Sequence, residues 1–368
     1  MNPDLPLFNA YPALARTLPY QGLATLPTPL LPMPQLMAKT GARSLWIKRD
    51  DQSGDLYGGN KVRKLEFLLG DALARGCTEV MTFGVAGSNH VLATGLYARK
   101  LGLAPIGCVT NQTNSRYVAR NLRAGQKAGI EYLCFANHDA VEEGARRRSL
   151  KSLRRTGKEP YTIRMGGSSP LGTIGFVNAA FELASQIEQL DCPVPDRIYL
   201  PLGTMGSVAG LALGLRALGL PTRVVGIRVV DAQIGNMAAC LQLYDASVAL
   251  LRDADPGFPL LDSASAGIEV RDAFFGQRYA VFTPEGMAAV RVFAETEQVG
   301  LEGTYTGKAA AALLHDLGSE RDRDQNLLFW NTYNSRPLGA AADASYRDLP
   351  QPLWRYFETE VQPLDRNA

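Results

Sequence analysis

Strand-like and helix-like stretches alternate from residue 44 to residue 332, and this rhythm constrains the fold more than any other feature of the chain. Short apolar runs read as strands: SLWIKRD (44–50), EVMTFGV (79–85), APIGCVT (104–110), IEYLCF (130–135), YTIRMGG (161–167), RIYLPLG (197–203), RVVGIRVV (223–230) and NLLFWNT (326–332). Between them lie stretches with apolar residues at helical spacing. In 61–76, Leu65, Leu68, Leu69, Ala72 and Leu73 share one face and Gly76 marks a stop. Further helices are expected at 88–102, 116–129, 142–157, 173–190, 207–219, 285–300 and 307–318. Such alternation predicts an α/β fold with a largely parallel sheet covered by helices on both faces. Ligands then belong at the carboxyl ends of the strands. The proline-rich first 45 residues are expected to wrap the surface irregularly, and the stretch 231–284 reads only as mixed.

Composition narrows the function classes. With 368 residues the chain suits two domains or one large α/β unit, and 46% hydrophobic with 20% charged residues excludes disorder and coiled coil. Lys plus Arg number 38 and Asp plus Glu 36, a formal charge of +2, which removes the electrostatic case for a nucleic-acid partner. Cys77, Cys108, Cys134, Cys192 and Cys240 are scattered and never form a CxxC pair, so free thiols are expected rather than disulfides or zinc. The N-terminus lacks a signal-peptide pattern, and the longest uncharged run, Ile198 to Leu215, is broken by Pro201 and four glycines. A cytoplasmic chain with no membrane partner is therefore expected. His90, His138 and His315 are spaced too widely for a metal motif. Arg146, Arg147, Arg148, Lys151, Arg154 and Arg155 read as a solvated helix face. No phosphate-loop GxxxxGK[ST], dinucleotide GxGxxG or GxSxG elbow is present.

Three strand-to-helix turns carry chemistry. Gly203, Thr204, Met205, Gly206 and Ser207 open a helix after RIYLPL, where backbone amides can cradle a phosphate, although a tight turn with no ligand favours the same residues. Lys61 follows Gly58-Gly59-Asn60 at a helix mouth, where the amides lower an amine's pKa. That suits a Schiff-base lysine, and a surface lysine in a turn is the plain alternative. Ser88, Asn89 and His90 bring a hydroxyl, an amide and an imidazole to one strand end.

GGNKVRKLEF, GSNH, GGSSPLGTIGF (166–176), GTMGSVAGL and TYTGKAAAAL (304–313) occur in this order. Over roughly residues 27 to 335 the chain resembles the D-cysteine desulfhydrase and 1-aminocyclopropane-1-carboxylate (ACC) deaminase group, pyridoxal-phosphate enzymes of fold type II. The resemblance implies two domains, 1–60 with 176–368 and 61–175, each with a twisted parallel sheet, and pyridoxal 5'-phosphate in the cleft between them. It assigns Lys61 to the cofactor imine, Ser88 to the substrate carboxylate and reacting carbon, Asn89 to the phenolic oxygen, 203–207 to the phosphate and Tyr305 to the active site. The deaminases carry glutamate and leucine where this chain has Thr306 and Thr332, which points to the desulfhydrase side. The implied reaction is α,β-elimination on a small amino acid to pyruvate, ammonia and sulfide, by a homodimer. ACC deamination, β- or γ-replacement and a catalytically silent regulatory protein are the alternatives. Three departures bear on the substrate: Gly87 for a common glutamine, Met205 within the phosphate turn, and Tyr333-Asn334 for Gly-Gly, which adds two side chains beside the cofactor.

Overall fold

The computed structural model describes residues 4–338 and 345–366. The strands are β1 (Leu30–Pro32), β2 (Ser44–Lys48), β3 (Glu79–Val85), β4 (Ala104–Thr110), β5 (Glu131–Phe135), β6 (Tyr161–Ile163), β7 (Arg197–Leu202), β8 (Arg223–Arg228), β9 (Ile268–Arg271) and β10 (Asn326–Trp330). Six of them form one sheet in the order β1-β2-β10-β7-β8-β9, in which only the β1–β2 pair is antiparallel. The other four form a parallel sheet, β5-β4-β3-β6. In the middle of the larger sheet, Leu328 faces Trp46 on one side and Ile198 on the other. Leu327, Leu328, Phe329 and Trp330 are all buried, as a parallel strand covered on both faces requires.

Helix Lys61–Ala74 carries the chain from the larger sheet to the smaller, and helix Pro170–Gln189 brings it back. The two helices pack so closely that a Cβ on Gly175 would lie 2.1 Å from the Arg63 carbonyl oxygen. Glycine is the residue that permits this crossing. One core, with Phe67, Phe176, Leu183, Leu211 and Trp330, lies on one face of the larger sheet. A second, with Ile47, Phe293, Ala310, Leu313 and Phe329, covers the other face. Leu65, Leu69, Val80, Leu92 and Tyr97 join helix Lys61–Ala74 to the smaller sheet.

A buried polar cluster ties the helix crossing to β2. Arg63 pairs with Asp50 at 2.7 Å and with Glu182 at 2.9 Å, and Lys48 also contacts Glu182. Burial alone would raise the Glu182 carboxyl, but Arg63 and Lys48 drive it down to about 2. Arg63 lies two residues after Lys61, so this cluster ties the first turn of the Lys61 helix to β2 and to helix Pro170–Gln189.

Several elements differ from the sequence reading. The run 161–167 is strand only to Ile163; Gly166 and Gly167, both at φ +65°, turn the chain through a short 3-10 segment. The first 45 residues hold β1 and helices Pro6–Ala10, Leu14–Thr17 and Pro34–Thr40. Leu7, Phe8 and Leu14 bury side chains in the main core, which overrides the breaking tendency of the prolines. Helix Met237–Ala254 and β9 lie in the stretch read as mixed. The helix had a usable signal: Cys240, Tyr244, Val248 and Leu251 are buried at helical spacing, and the Asn236 side chain caps it by accepting from Ala239 N at 2.9 Å. The basic face is partly paired, with Arg148 on Glu79 and Glu131, and Arg155 on Glu79. All five cysteines are free thiols. Among the described residues no helix is long and apolar enough to cross a membrane, and no group of three His, Cys, Asp or Glu residues could hold a metal.

Candidate active site

A cavity of about 250 Å³ lies between the two sheets, reached by the carboxyl ends of β3, β4, β7, β8 and β10. Lys61, Ser88, Asn89, Gly203, Thr204, Met205, Ser207, Tyr305, Thr306 and Thr332 all line it. Gly206 sits behind the wall, its amide donating to Thr204 O at 2.9 Å and Ser168 Oγ at 3.2 Å. His90 and His138 also reach the cavity. His90 is buried, its Nε2 is 2.9 Å from Thr82 Oγ1, and burial beside Lys61 and Lys64 keeps it neutral.

Lys61 opens its helix directly after the Gly58-Gly59-Asn60 turn. Gly59 has φ +90°, and a Cβ there would stand 2.7 Å from the Thr332 carbonyl oxygen, so the turn presses against the end of β10. Lys61 Nζ donates to Asn60 Oδ1 at 2.8 Å. Burial lowers its pKa to about 8, with Glu302 acting in the opposite sense.

One helical turn on, Lys64 brings a second amine that the sequence reading missed, although the i, i+3 spacing from Lys61 was visible. Its Nζ donates to Gly166 O and Ser168 Oγ, both at 3.2 Å, and among the described residues no carboxylate pairs with it. Burial and the nearby Lys61 hold its pKa well below the ordinary lysine value. Ser168 Oγ lies 2.8 Å from Thr204 Oγ1, and Asn60 Nδ2 donates to Ser207 Oγ at 2.9 Å. Met205 adopts φ +66° to start helix Gly206–Ala217, a left-handed conformation more usual for glycine. The Lys64 amine, these hydroxyls and a helix N-terminus thus converge through hydrogen bonds that involve no carboxylate, which fits a phosphate.

Asn89 has a defined polarity. Its Oδ1 accepts from Tyr57 OH and Asn121 Nδ2, each at 2.9 Å, so its amide donor is left for an acceptor in the cavity. Ser88 caps the same helix, accepting from Val91 N at 3.3 Å. A Cβ on Gly87 would come within 3.0 Å of Val118, Gln112 and Tyr117, so the small residue there is a packing requirement of this chain.

On the opposite sheet, Glu302 accepts backbone N–H bonds from Thr304, Tyr305 and Thr306 at 2.7–2.9 Å. The Thr306 hydroxyl accepts from Glu302 N at 3.0 Å, so it is engaged in this loop, whereas the Thr332 hydroxyl has no hydrogen-bond partner among the described residues. The hydroxyls of Tyr305 and Tyr279 are hydrogen-bonded. Burial raises both pKa values, Tyr279 to about 12, so each keeps its proton at neutral pH. Tyr279 and Glu302 went unread because neither lies in a motif. Both added side chains line the cavity: Asn334 accepts from Gly58 N at 2.6 Å, and the Tyr333 hydroxyl meets Arg120.

Residues 22–332 match the family model described as pyridoxal-phosphate dependent enzyme. The chain is 34% identical to the nocardicin C-9' epimerase of Nocardia uniformis subsp. tsuyamanensis, over 93% of this chain and 99% of that one. It is also 34% identical to the D-cysteine desulfhydrase of Klebsiella pneumoniae, over 85% and 93%. A crystal structure of an ACC deaminase homologue superposes with a TM-score of 0.75 at 31% identity, covering 97% of this chain and all of that one. With an amine on Lys61, a cluster suited to an anion and an open amide donor on Asn89 around one cavity, the chain belongs to the pyridoxal-phosphate dependent enzymes, in the group of D-cysteine desulfhydrases and ACC deaminases.

Proposed function

We propose that this enzyme catalyses α,β-elimination on a small D-amino acid of the D-cysteine type, releasing the β-substituent and an enamine that one water hydrolyses to pyruvate and ammonia. The observation that carries this reading is the pair Thr306 and Thr332 on the cavity wall. Glu302, the acidic side chain beside them, is held by three backbone amides. When bound, the cofactor supplies an electron sink for the substrate's α-carbon. A carboxylate at the ring nitrogen would deepen that sink enough to open a cyclopropane, whereas a hydroxyl such as that of Thr332 suffices when a good leaving group departs.

The residues divide the work. Lys61 would hold the cofactor, and its amine would serve as the base that takes the proton from the substrate's α-carbon. Asn89 would donate to the phenolic oxygen, and the 203–207 turn with Lys64 would hold the phosphate. Ser88 would orient the substrate carboxylate, and the Tyr279–Tyr305 pair would keep a proton beside the leaving group. We further propose a cytoplasmic homodimer whose larger domain comprises 1–60 with 176–368 and whose smaller domain is 61–175.

ACC deamination is the second reading, supported by the crystallised deaminase homologue. Epimerisation is a third, supported by the Nocardia relative and by a second proton-bearing group, the tyrosine pair, in the same cavity. One assay separates them. Keto-acid release is followed with D- and L-cysteine, β-chloro-D-alanine and ACC, and optical rotation is followed in parallel. Pyruvate from a β-substituted D-amino acid should form far faster than 2-oxobutyrate from ACC. Faster turnover of ACC, or inversion without keto acid, would remove elimination as the native reaction.

A further inference from the structure

We propose that residues 345–366 form a strap joining the loop after β4 to the backbone that follows Tyr279, and that Gln362 within it is a positioning residue for Tyr279 and, through Tyr279, for Tyr305. This rests on the reading above, in which the tyrosine pair serves the reaction.

Gln362 is buried and uses both ends of its amide. Its Nε2 donates to Ser115 Oγ at 2.6 Å, beside the smaller sheet, and to Ala280 O at 3.0 Å, beside the larger. Its Oε1 accepts from Phe282 N at 2.7 Å. These bonds bracket the backbone that immediately follows Tyr279. Ala280 there is fully buried with φ +61°, a conformation that a residue with a Cβ adopts only when its surroundings impose it. Gln362 supplies that imposition, so the direction in which Tyr279 leaves the backbone depends on a side chain 83 positions away in sequence.

The strap is itself anchored to the smaller sheet. Gln362 N donates to Asn114 O at 3.0 Å, and Asn114 Nδ2 donates to Thr359 O at 2.9 Å. Asp365 Oδ2 accepts from Arg116 N at 2.6 Å, at a helix N-terminus where a carboxylate is favoured. Leu349, Leu353 and Tyr356 are buried against Val118 and Leu122. The Tyr356 hydroxyl accepts from Gln112 N at 2.9 Å, and the Gln112 side chain accepts from Gly87 N at 2.8 Å and donates to Tyr117 OH at 2.9 Å. One segment therefore braces the Ser88–Asn89 turn on one side and the Tyr279 backbone on the other.

The test uses the full chain loaded with pyridoxal phosphate. In Gln362→Ala, amide exchange in peptides covering 279–283 should accelerate at least about tenfold while β7 and β10 keep their protection. With the best substrate, kcat should fall by about tenfold with KM little changed, and Gln362→Ala added to Tyr279→Phe should cost less than about twofold more. Unchanged exchange at 279–283, or losses that multiply in the double variant, would overturn the proposal. If Gln362→Ala does not fold, Ser115→Ala, which removes one arm, should raise the same exchange to a smaller degree, and no rise there would equally overturn it. A wild type that turns over no amino acid would sink the proposed reaction, yet the exchange measurement would still decide whether the strap holds the loop.

Discussion

Lys61 Nζ stands 2.8 Å from Asn60 Oδ1, and the same amide donates to Ser207 at 2.9 Å, 147 positions further along the chain. Asn60 thus couples the Lys61 amine to the N-terminal turn of helix Gly206–Ala217. With its pKa lowered to about 8, Lys61 has a neutral, nucleophilic fraction near physiological pH. Attachment of pyridoxal phosphate to the apoenzyme should quicken as pH rises through about 8 and then level off, instead of climbing toward the ordinary lysine value near 10.5. Lys61→Ala should show no visible band from covalent cofactor and no borohydride-fixed label on that peptide; a labelled peptide in the variant would place the attachment elsewhere.

Substitution in the 203–207 turn, proposed above to hold the phosphate, should separate binding from folding. A Cβ on Gly206 meets Ser168 Oγ at 2.7 Å and Lys64 Nζ at 2.9 Å, both flexible side-chain ends rather than backbone. Gly206→Val should therefore push the amine and hydroxyl out of the cradle and weaken pyridoxal-phosphate affinity by about 100-fold or more, as expected when two charge-assisted bonds of roughly 1.5–3 kcal/mol are lost. Circular dichroism should stay native. Equal affinity in both proteins would show that the phosphate is held elsewhere.

The Thr306–Thr332 pair can be exchanged for the deaminase identities. Thr306→Glu with Thr332→Leu should raise the ratio of ACC to β-chloro-D-alanine turnover by an order of magnitude or more, since a close ionised partner shifts a pKa by about 1–3 units. The new carboxylate would stand beside Glu302, so the double variant should also melt lower than Thr332→Leu alone. A ratio that does not move would locate substrate choice in other residues, Tyr333 foremost.

Acid should attack the Arg63–Glu182 pair selectively. The folded carboxyl sits at about 2 against an ordinary 4.5, so the unfolded chain takes up the proton first as pH falls. The stabilisation, on the order of 3 kcal/mol, is full above about pH 4.5 and disappears toward pH 2. Glu182→Gln should cost about 3–5 kcal/mol at pH 7, because it leaves Arg63 and Lys48 buried with less charge opposite them. The gap between wild type and variant, followed by urea unfolding, should narrow from pH 4.5 downward. A gap independent of pH would mean that Glu182 is not ionised in the fold.

Much of the architecture is written locally. The apolar spacing in 61–76 and the uninterrupted run Leu327–Trp330 specify helix and buried strand because period and burial are properties of a few consecutive residues. The ordered turns around Lys61, Ser88 and Gly203 likewise announce ligand-binding strand ends, since a helix N-terminus needs no distant partner to present its amides. Strand order is different: β10 inserts between β2 and β7, and no pattern within NLLFW names Leu45 or Ile198 as neighbours. Lys64 joins the proposed anion cradle only because Ser168 and Thr204 arrive from two other segments. Tyr279 enters the site from a stretch without periodicity, held by a glutamine near the C-terminus. Sequence alone determined the alternating strands and helices between residues 44 and 230 and the glycine-bearing turns that join them, through local sterics and hydrogen bonding. Tertiary structure alone decided which distant side chains complete the cavity, because those contacts depend on close packing between segments that share no local pattern.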